Sequence, residues 1–221
     1  MAIDETIAQL DALFRERRLK WYARLRRSGP EVVEYIQQSL GPVPLPVAVQ
    51  RLCAWKDGEE REIGIKPGYF FLGSSLLLGM YEDNLKGEET GALPPIFRRL
   101  IPLFHTATKL QVCVVALDDT NDASEVIAVD IDSRQFLVLS RSLDSFLRTI
   151  YEGWARGAYH EGADVGSTPF VYTPEEAEII REVDGLEFLP RRRLGVTAFE
   201  FDRPEQWPRA WRQFAAPPIV H

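Results

Sequence analysis

Residues 45–72 read LPVAVQRLCAWKDGEEREIGIKPGYFFL, and the fold is decided by how this stretch divides. Pro46 has the fixed φ that suits the first turn of a helix, and Val49, Leu52 and Cys53 follow it as an apolar stripe at helical spacing. Trp55-Lys56-Asp57-Gly58 stops the helix. Asp57-Gly58 is a strong turn signal, because glycine accepts positive φ and aspartate bonds its own backbone. Two short strands are expected next, near 62–65 and 69–72, with Pro67-Gly68 turning between them. The stretch is thus a helix, a charged turn and the start of a sheet.

Upstream, Ile3, Ile7, Leu10, Phe14, Trp21 and Leu25 predict a helix over 4–28, with one gap at Arg15–Arg18 and an arginine-rich outer face. That basic face is read as solvated, since acidic residues flank it. Gly29 is expected to end the helix in a left-handed conformation, and Ser28 with Glu31 resembles a capping box. A second helix is expected over 31–40, with Val32, Tyr35, Ile36 and Leu40 inward, closed by Gly41-Pro42.

Downstream, Gly73-Ser74-Ser75 offers a helix cap before Leu77, Leu78, Tyr81 and Leu85, and residues 86–95 (KGEETGALPP) read as loop. LQVCVVAL at 110–117 is a near-continuous apolar run rich in β-branched residues, which reads as a central strand buried on both sides. Return strands at 125–131 and 136–139 make an antiparallel meander. A helix over 143–157 follows, capped by Ser142, then a linker over 158–170. Thr173-Pro174-Glu175-Glu176 starts another helix that ends before Gly185. Residues 195–202 suggest one more strand, and Trp207, Trp211 and Phe214 lie at helical spacing in the tail.

The chain has 221 residues, 45% of them hydrophobic, so it can bury most of its apolar surface without disulfides or metals. Cys53 and Cys113 sit in apolar surroundings and read as buried thiols, which fits a reducing, cytoplasmic compartment. No apolar run reaches membrane-spanning length, and MAIDETIAQL lacks the pattern of a signal peptide. The net charge of −7 argues against general nucleic-acid binding and is compatible with a basic protein partner.

No catalytic motif is found. The sequence lacks G-x-G-x-x-G, the nucleotide phosphate loop, C-x-x-C and H-E-x-x-H, and Gly73-Ser74-Ser75 fails the nucleophile-elbow pattern. His105, His160 and His221 form no constellation. Three carboxylate groups stand out. Asp118, Asp119 and Asp122, with Asp130 and Asp132, surround one predicted hairpin; they could converge on a metal, but they lack the EF-hand order and read better as solvated turn residues. Asp57, Glu59, Glu60 and Glu62 lie at the turn in the opening stretch, and Glu82, Asp83, Glu88 and Glu89 follow the mid-chain helix. Asp57, Glu59, Glu60, Glu82, Asp83, Asp118, Asp119 and Asp122 are the candidate residues of an acidic, partner-binding face. No catalytic residue, metal ligand or cofactor is expected.

Leu45-Pro46, an apolar helix and an aromatic-x-Asp-Gly turn eleven residues after the proline resemble the SUKH superfamily, which includes the Smi/Knr cell-wall assembly regulators. Leu100-Ile101-Pro102-Leu103-Phe104 resembles that family's proline-containing strand, and Ser142-Leu143-Asp144-Ser145-Phe146-Leu147 its late helix start. Thr106-Ala107-Thr108-Lys109 departs from the Gly- and Asp-rich turn often found there. The resemblance covers residues 31–157. It implies an α+β fold, a mostly antiparallel sheet flanked by helices; outside the resemblance, residues 1–30 are expected to form an N-terminal helical extension and residues 158–221 a C-terminal extension packed on the domain and ending in a helical tail. It also implies a non-enzymatic role. Bacterial members are commonly immunity proteins that neutralise toxins by protein–protein binding, many of the toxins being nucleases, and a basic nuclease would suit the acidic balance here. A regulatory or scaffold module that binds another protein is the alternative. A metal-dependent enzyme built on the carboxylate hairpin is a third.

Overall fold

The apolar runs beyond residue 100 form the centre of the molecule. The structure, a computed structural model, describes residues 3–17, 19, 22–58, 65–106, 110–117, 125–160, 173–186 and 198–215. Among the described residues six strands, β1 (Tyr69–Phe71), β2 (Leu100–Thr106), β3 (Gln111–Val115), β4 (Val126–Asp130), β5 (Gln135–Ser140) and β6 (Ala198–Glu200), pair antiparallel in chain order. Every residue of β3 is buried, as its unbroken apolar run predicts for a strand covered on both faces. Ile101 opposes Val114, Cys113 opposes Ile127, and Val129 opposes Phe136. Each such side chain contributes about 1.5–3 kcal/mol by leaving water. Pro102 sits inside β2, where a proline removes a ladder donor, and the register shifts between Pro102 and Phe104, a bulge that accommodates it. The edge strands β1 and β6 have three residues each, which keeps little unpaired backbone exposed.

The helices are α1 (Ile3–Glu16), α2 (Pro30–Leu40), α3 (Val47–Trp55), α4 (Ser74–Glu89), α5 (Leu143–Ala155) and α6 (Pro174–Asp184). α1 packs on α5 and α3, α2 on α3 and α4, α4 on β2, and α6 on α5. One hydrophobic cluster runs from Ile3 through the sheet to Trp211, so both extensions share the core of the central segment. The expected cap of α5 forms, with Ser142 accepting from the Ser145 amide. α6 starts at the Thr173 cap and ends at Gly185, whose φ is 66°.

Several local expectations are corrected. The first helix does not run over 4–28 but stops at Glu16. One turn beyond Phe14 the inward positions fall to arginines, which resist burial, so the chain folds back through a 3-10 turn at Tyr22–Arg24 and buries Leu19 and Leu25 instead. Gly29 is extended rather than left-handed, and the Ser28 hydroxyl donates to the Cys53 carbonyl instead of capping α2. Tyr35 points outward. Ser74 lies inside α4, with Gly73 as its cap residue. Residues 86–89 continue α4 rather than opening a loop. They include good helix formers, Leu93 packs where a Cβ on Gly87 would stand, and Thr90 hydrogen-bonds back to the Lys86 carbonyl. The tail is not a helix. Pro204 and Pro208 interrupt it, and 3-10 turns at Pro204–Gln206 and Arg212–Phe214 carry buried Trp207 and Trp211 onto Phe136. The start of the expected linker is also packed, since Tyr159 is buried. The strand expected near 62–65 falls mostly outside the described residues, as do Trp21 and the first part of 195–202.

The same tail raises a pH-dependent prediction. Glu125 leads into β4, and burial pushes its carboxyl above the ordinary value, while the Trp211 indole pulls partly the other way. The Trp211 Nε1 nonetheless closes no hydrogen bond among the described residues. A carboxyl whose pKa rises on folding favours the fold when protonated, and that contribution is lost as pH rises through the folded value. Glu125→Gln is therefore expected to melt at a higher temperature than the parent at pH 7.5, with the difference shrinking towards pH 4. Thermal melts across that range check it, and an unchanged difference at all pH values would count against it.

Candidate functional site

The opening stretch ties three parts of the chain together. Asp57 N donates to the Arg26 carbonyl at 3.2 Å and Arg26 N donates to the Gly58 carbonyl at 3.1 Å, so residues 56–58 run as a short antiparallel pair with 26–27. The Asp57 carboxylate accepts from the Ser74 amide at 2.6 Å, the orphan donor at the start of α4, and lies 3.6 Å from the Arg26 guanidinium. Asp57 is therefore bound up in the junction of α3, α4 and the N-terminal segment, with its side chain 14% exposed. Gly58 has φ 67°, and its Cα passes so close to Leu72 and Gly73 that a Cβ would stand 2.1 Å from the Gly73 nitrogen.

Beyond that junction, α2, α3 and α4 form a helical layer with a distinctive surface. Residues 28–50 and 67–85 contain no lysine, arginine or histidine. Glu31 and Glu34 on α2, and Glu82 and Asp83 on α4, are exposed there. The described residues expose four large hydrophobic side chains, and three are in this layer: Tyr35 of α2 at 52%, Val47 of α3 at 39% and Leu76 of α4 at 56%. Single exposed apolar residues are ordinary, but aromatic and apolar groups with charge beside them are the composition of a protein-binding patch. The exposed carboxylates here lie on α2 and α4, while α3 carries the exposed cation Arg51, one turn beyond Val47 and 3.6 Å from Asp4. Asp83 pairs with Lys86 at 3.2 Å, and both side chains are more than two-thirds exposed, so the pair is screened and weak. Glu88 is taken by Arg98, whose Nε lies 2.8 Å from its Oε2.

Of the candidate residues read from sequence, Glu82 and Asp83 lie together on the solvent face of α4, and Asp57 sits at the base of the same helix. Glu59, Glu60, Asp118, Asp119 and Asp122 lie outside the described residues. Asp130, from the third carboxylate group, accepts from the Ser133 amide at 3.0 Å, an ordinary turn contact. Tyr35, Val47, Leu76, Glu31 and Glu34 were not among the candidates. The absence of cations over two long segments was legible in the sequence, whereas the orientation of Tyr35 was not.

A second polar cluster is internal. The Lys66 ammonium is ion-paired to Glu176, the Tyr159 hydroxyl donates to Glu176 at 2.7 Å, and Lys66 lies over the rings of Tyr69 at 4.7 Å and Tyr159 at 5.6 Å. Lys66 and Glu176 are each 6% exposed. Asn84 and Gln111 form a reciprocal amide pair, at 3.0 and 3.1 Å, between α4 and β3. Both sets pair buried polar groups and join elements of the core. The His105 ring lies tilted against that of Phe70, with centroids 4.7 Å apart. Burial raises both thiols, that of Cys53 to about 12 with help from Asp57, so neither is a ready nucleophile. Among the described residues no group of three His, Cys, Asp or Glu could hold a metal, and no helix is long and apolar enough to cross a membrane.

Compared with protein-family models the chain matches none, and no curated protein matches it.

Proposed function

We propose that the chain is a non-catalytic binding protein that neutralises a cognate bacterial toxin by covering part of its surface, the toxin being a basic protein of the nuclease kind that acts in the cytoplasm. The observation that carries this reading is the α2–α3–α4 layer, which has acidic and apolar groups exposed and no cation over residues 28–50 and 67–85. A face with an excess of one sign, here acidic despite Arg51 and Lys86, raises the encounter rate with a partner of the other, and the apolar groups give contact area that charge alone does not. The SUKH-like motifs around Leu45-Pro46, Pro102 and Ser142 support the same role by resemblance, and the net charge of −7 suits it.

The test is to mix the purified chain with the protein encoded beside its gene, where that protein is toxic. The expected result is a stoichiometric complex that removes the toxic activity. No complex and no protection would overturn the proposal, and a complex with a non-toxic neighbour would favour the scaffold role. Charge reversal adds a second expectation. Glu82→Lys with Asp83→Lys should slow association by about tenfold at low salt and by less at high salt, because exposed charges act mainly on encounter and are screened. Stopped-flow association rates check this, with melting curves to confirm that the exposed substitutions leave the fold intact.

A further inference from the structure

We infer that the face formed by the end of α1, the 3-10 turn at Tyr22–Arg24 and the end of α3 binds a single-stranded nucleic acid, with phosphates on Arg15, Arg27 and Lys56 and a base beside Trp55. The net charge of −7 hides this face. Residues 15–27 carry seven cations and one acid, and six of the seven cations are arginines. The inference is independent of the neutralising role and uses none of the residues that carry it.

The chain brings three cations to one aromatic ring. Arg27 and Lys56 stand directly opposite each other where 26–27 and 56–58 pair antiparallel, so their side chains leave on the same side. The Lys56 ammonium lies 4.8 Å over the Tyr22 ring, and the Arg15 Nε donates to the Tyr22 hydroxyl at 3.4 Å. The carboxylate in contact with this group, Asp11, is already engaged. It accepts from the Tyr22 hydroxyl and from the Trp55 indole at 2.7 Å, and it pairs with Arg15 at 2.8 Å. Burial lowers the pKa of Lys56, Asp11 opposes that, and Arg15 and Arg27 lower it further. Three cations are thus held together against their mutual repulsion, and a bound oxyanion relieves it.

The side chains also favour one kind of anion. Arginine's planar fork meets phosphate oxygens in pairs and stacks on aromatic planes. The Tyr22 and Trp55 rings stack at 6.4 Å and 29°, and both are partly exposed beside the cations. A basic track with aromatic rings along it is the composition of single-strand binding, because every unpaired base has a face that stacks. A lipid surface fits poorly, since the large hydrophobic side chains that the described residues expose, Tyr35, Val47, Leu76 and Ile131, all lie outside this segment. An acidic peptide would pair with the cations and leave the rings unused.

The experiment follows the fluorescence anisotropy of a short labelled RNA of mixed sequence as the full chain is added. Saturable binding is expected at low salt. Three phosphate contacts imply an affinity that falls roughly twentyfold when the salt concentration rises about fourfold. Arg27→Glu, an exposed substitution, should weaken binding about tenfold and leave the melting temperature unchanged. Lys56→Gln should weaken it less and reduce the salt dependence by about one contact. The same RNA annealed into a duplex should bind more weakly, since its bases are not free to stack, and polyglutamate should displace the single strand only at large excess. Absence of saturable binding, undiminished binding by Arg27→Glu, or a duplex bound as tightly as the single strand would overturn the inference. Equal competition by polyglutamate would overturn it in favour of an acidic protein segment.

Discussion

Gly58→Ala is expected to lose roughly 3–5 kcal/mol of folding stability, from a left-handed non-glycine residue at about 1–2 kcal/mol and an overpacked backbone contact that adds at least as much. Gly58 has φ 67°, and its Cα faces the chain between Leu72 and Gly73. A new methyl would stand 2.1 Å from the Gly73 nitrogen and 2.3 Å from the Leu72 carbonyl carbon. These are backbone atoms, so no rotamer change relieves them. The junction must open, and with it the Arg26 N–H to Gly58 carbonyl bond and the Asp57 cap on α4. For a chain of this size the melting temperature should fall by roughly 10 °C. Gly91→Ala is the control. Gly91 also has positive φ, at 73°, but a Cβ there meets nothing within 4 Å, so only the conformational part should be lost. Thermal or urea melts of the two variants separate strain from steric conflict, and equal losses would show that the contact at Gly58 does not matter.

Glu176→Leu is the second large effect, with an expected loss of about 3–5 kcal/mol, because removing one member of a buried pair leaves the other charge in a poor environment. Lys66 would keep the rings of Tyr69 and Tyr159 but lose the carboxylate. The Tyr159 hydroxyl would lose the hydrogen bond that it donates to Glu176. The pair links the turn before β1 to the first turn of α6, so the loss should be greatest where α6 meets α5. Hydrogen exchange should show the amides of α6 opening first. The double variant Lys66→Met/Glu176→Leu should recover much of the loss, since apolar replacements of a buried pair are often nearly neutral. A double variant no more stable than Glu176→Leu would mean that the pair is not the source of the effect.

Much of the fold was legible because its strongest signals are local. The apolar run at 110–117 could only be a covered strand, Ser142 and Thr173 announced their helices, and Pro46 and Asp57-Gly58 framed α3. The misses share a cause, which is that tertiary contacts decide where local signals are ambiguous. Arginines after Phe14 fit a helix by propensity but not its buried face, so α1 stops early. Gly87 looked like the start of a loop, yet it is there because Leu93 packs over it. Ser74 looked like a cap, but the cap on that amide comes from Asp57, seventeen residues away. That contact also explains why charge and turn placement alone described the candidate site poorly. Asp57 belongs to the junction, whereas the exposed carboxylates lie further along α4, at Glu82 and Asp83.

The most direct test is a titration of the co-encoded toxin's activity with the purified chain and with its Glu82→Lys/Asp83→Lys variant at low salt. The parent chain is expected to abolish the activity at one equivalent, and the variant, with an unchanged melting temperature, to need a clear excess. Toxin activity that persists at excess parent chain, with the two proteins migrating separately, would contradict neutralisation through this acidic helical face.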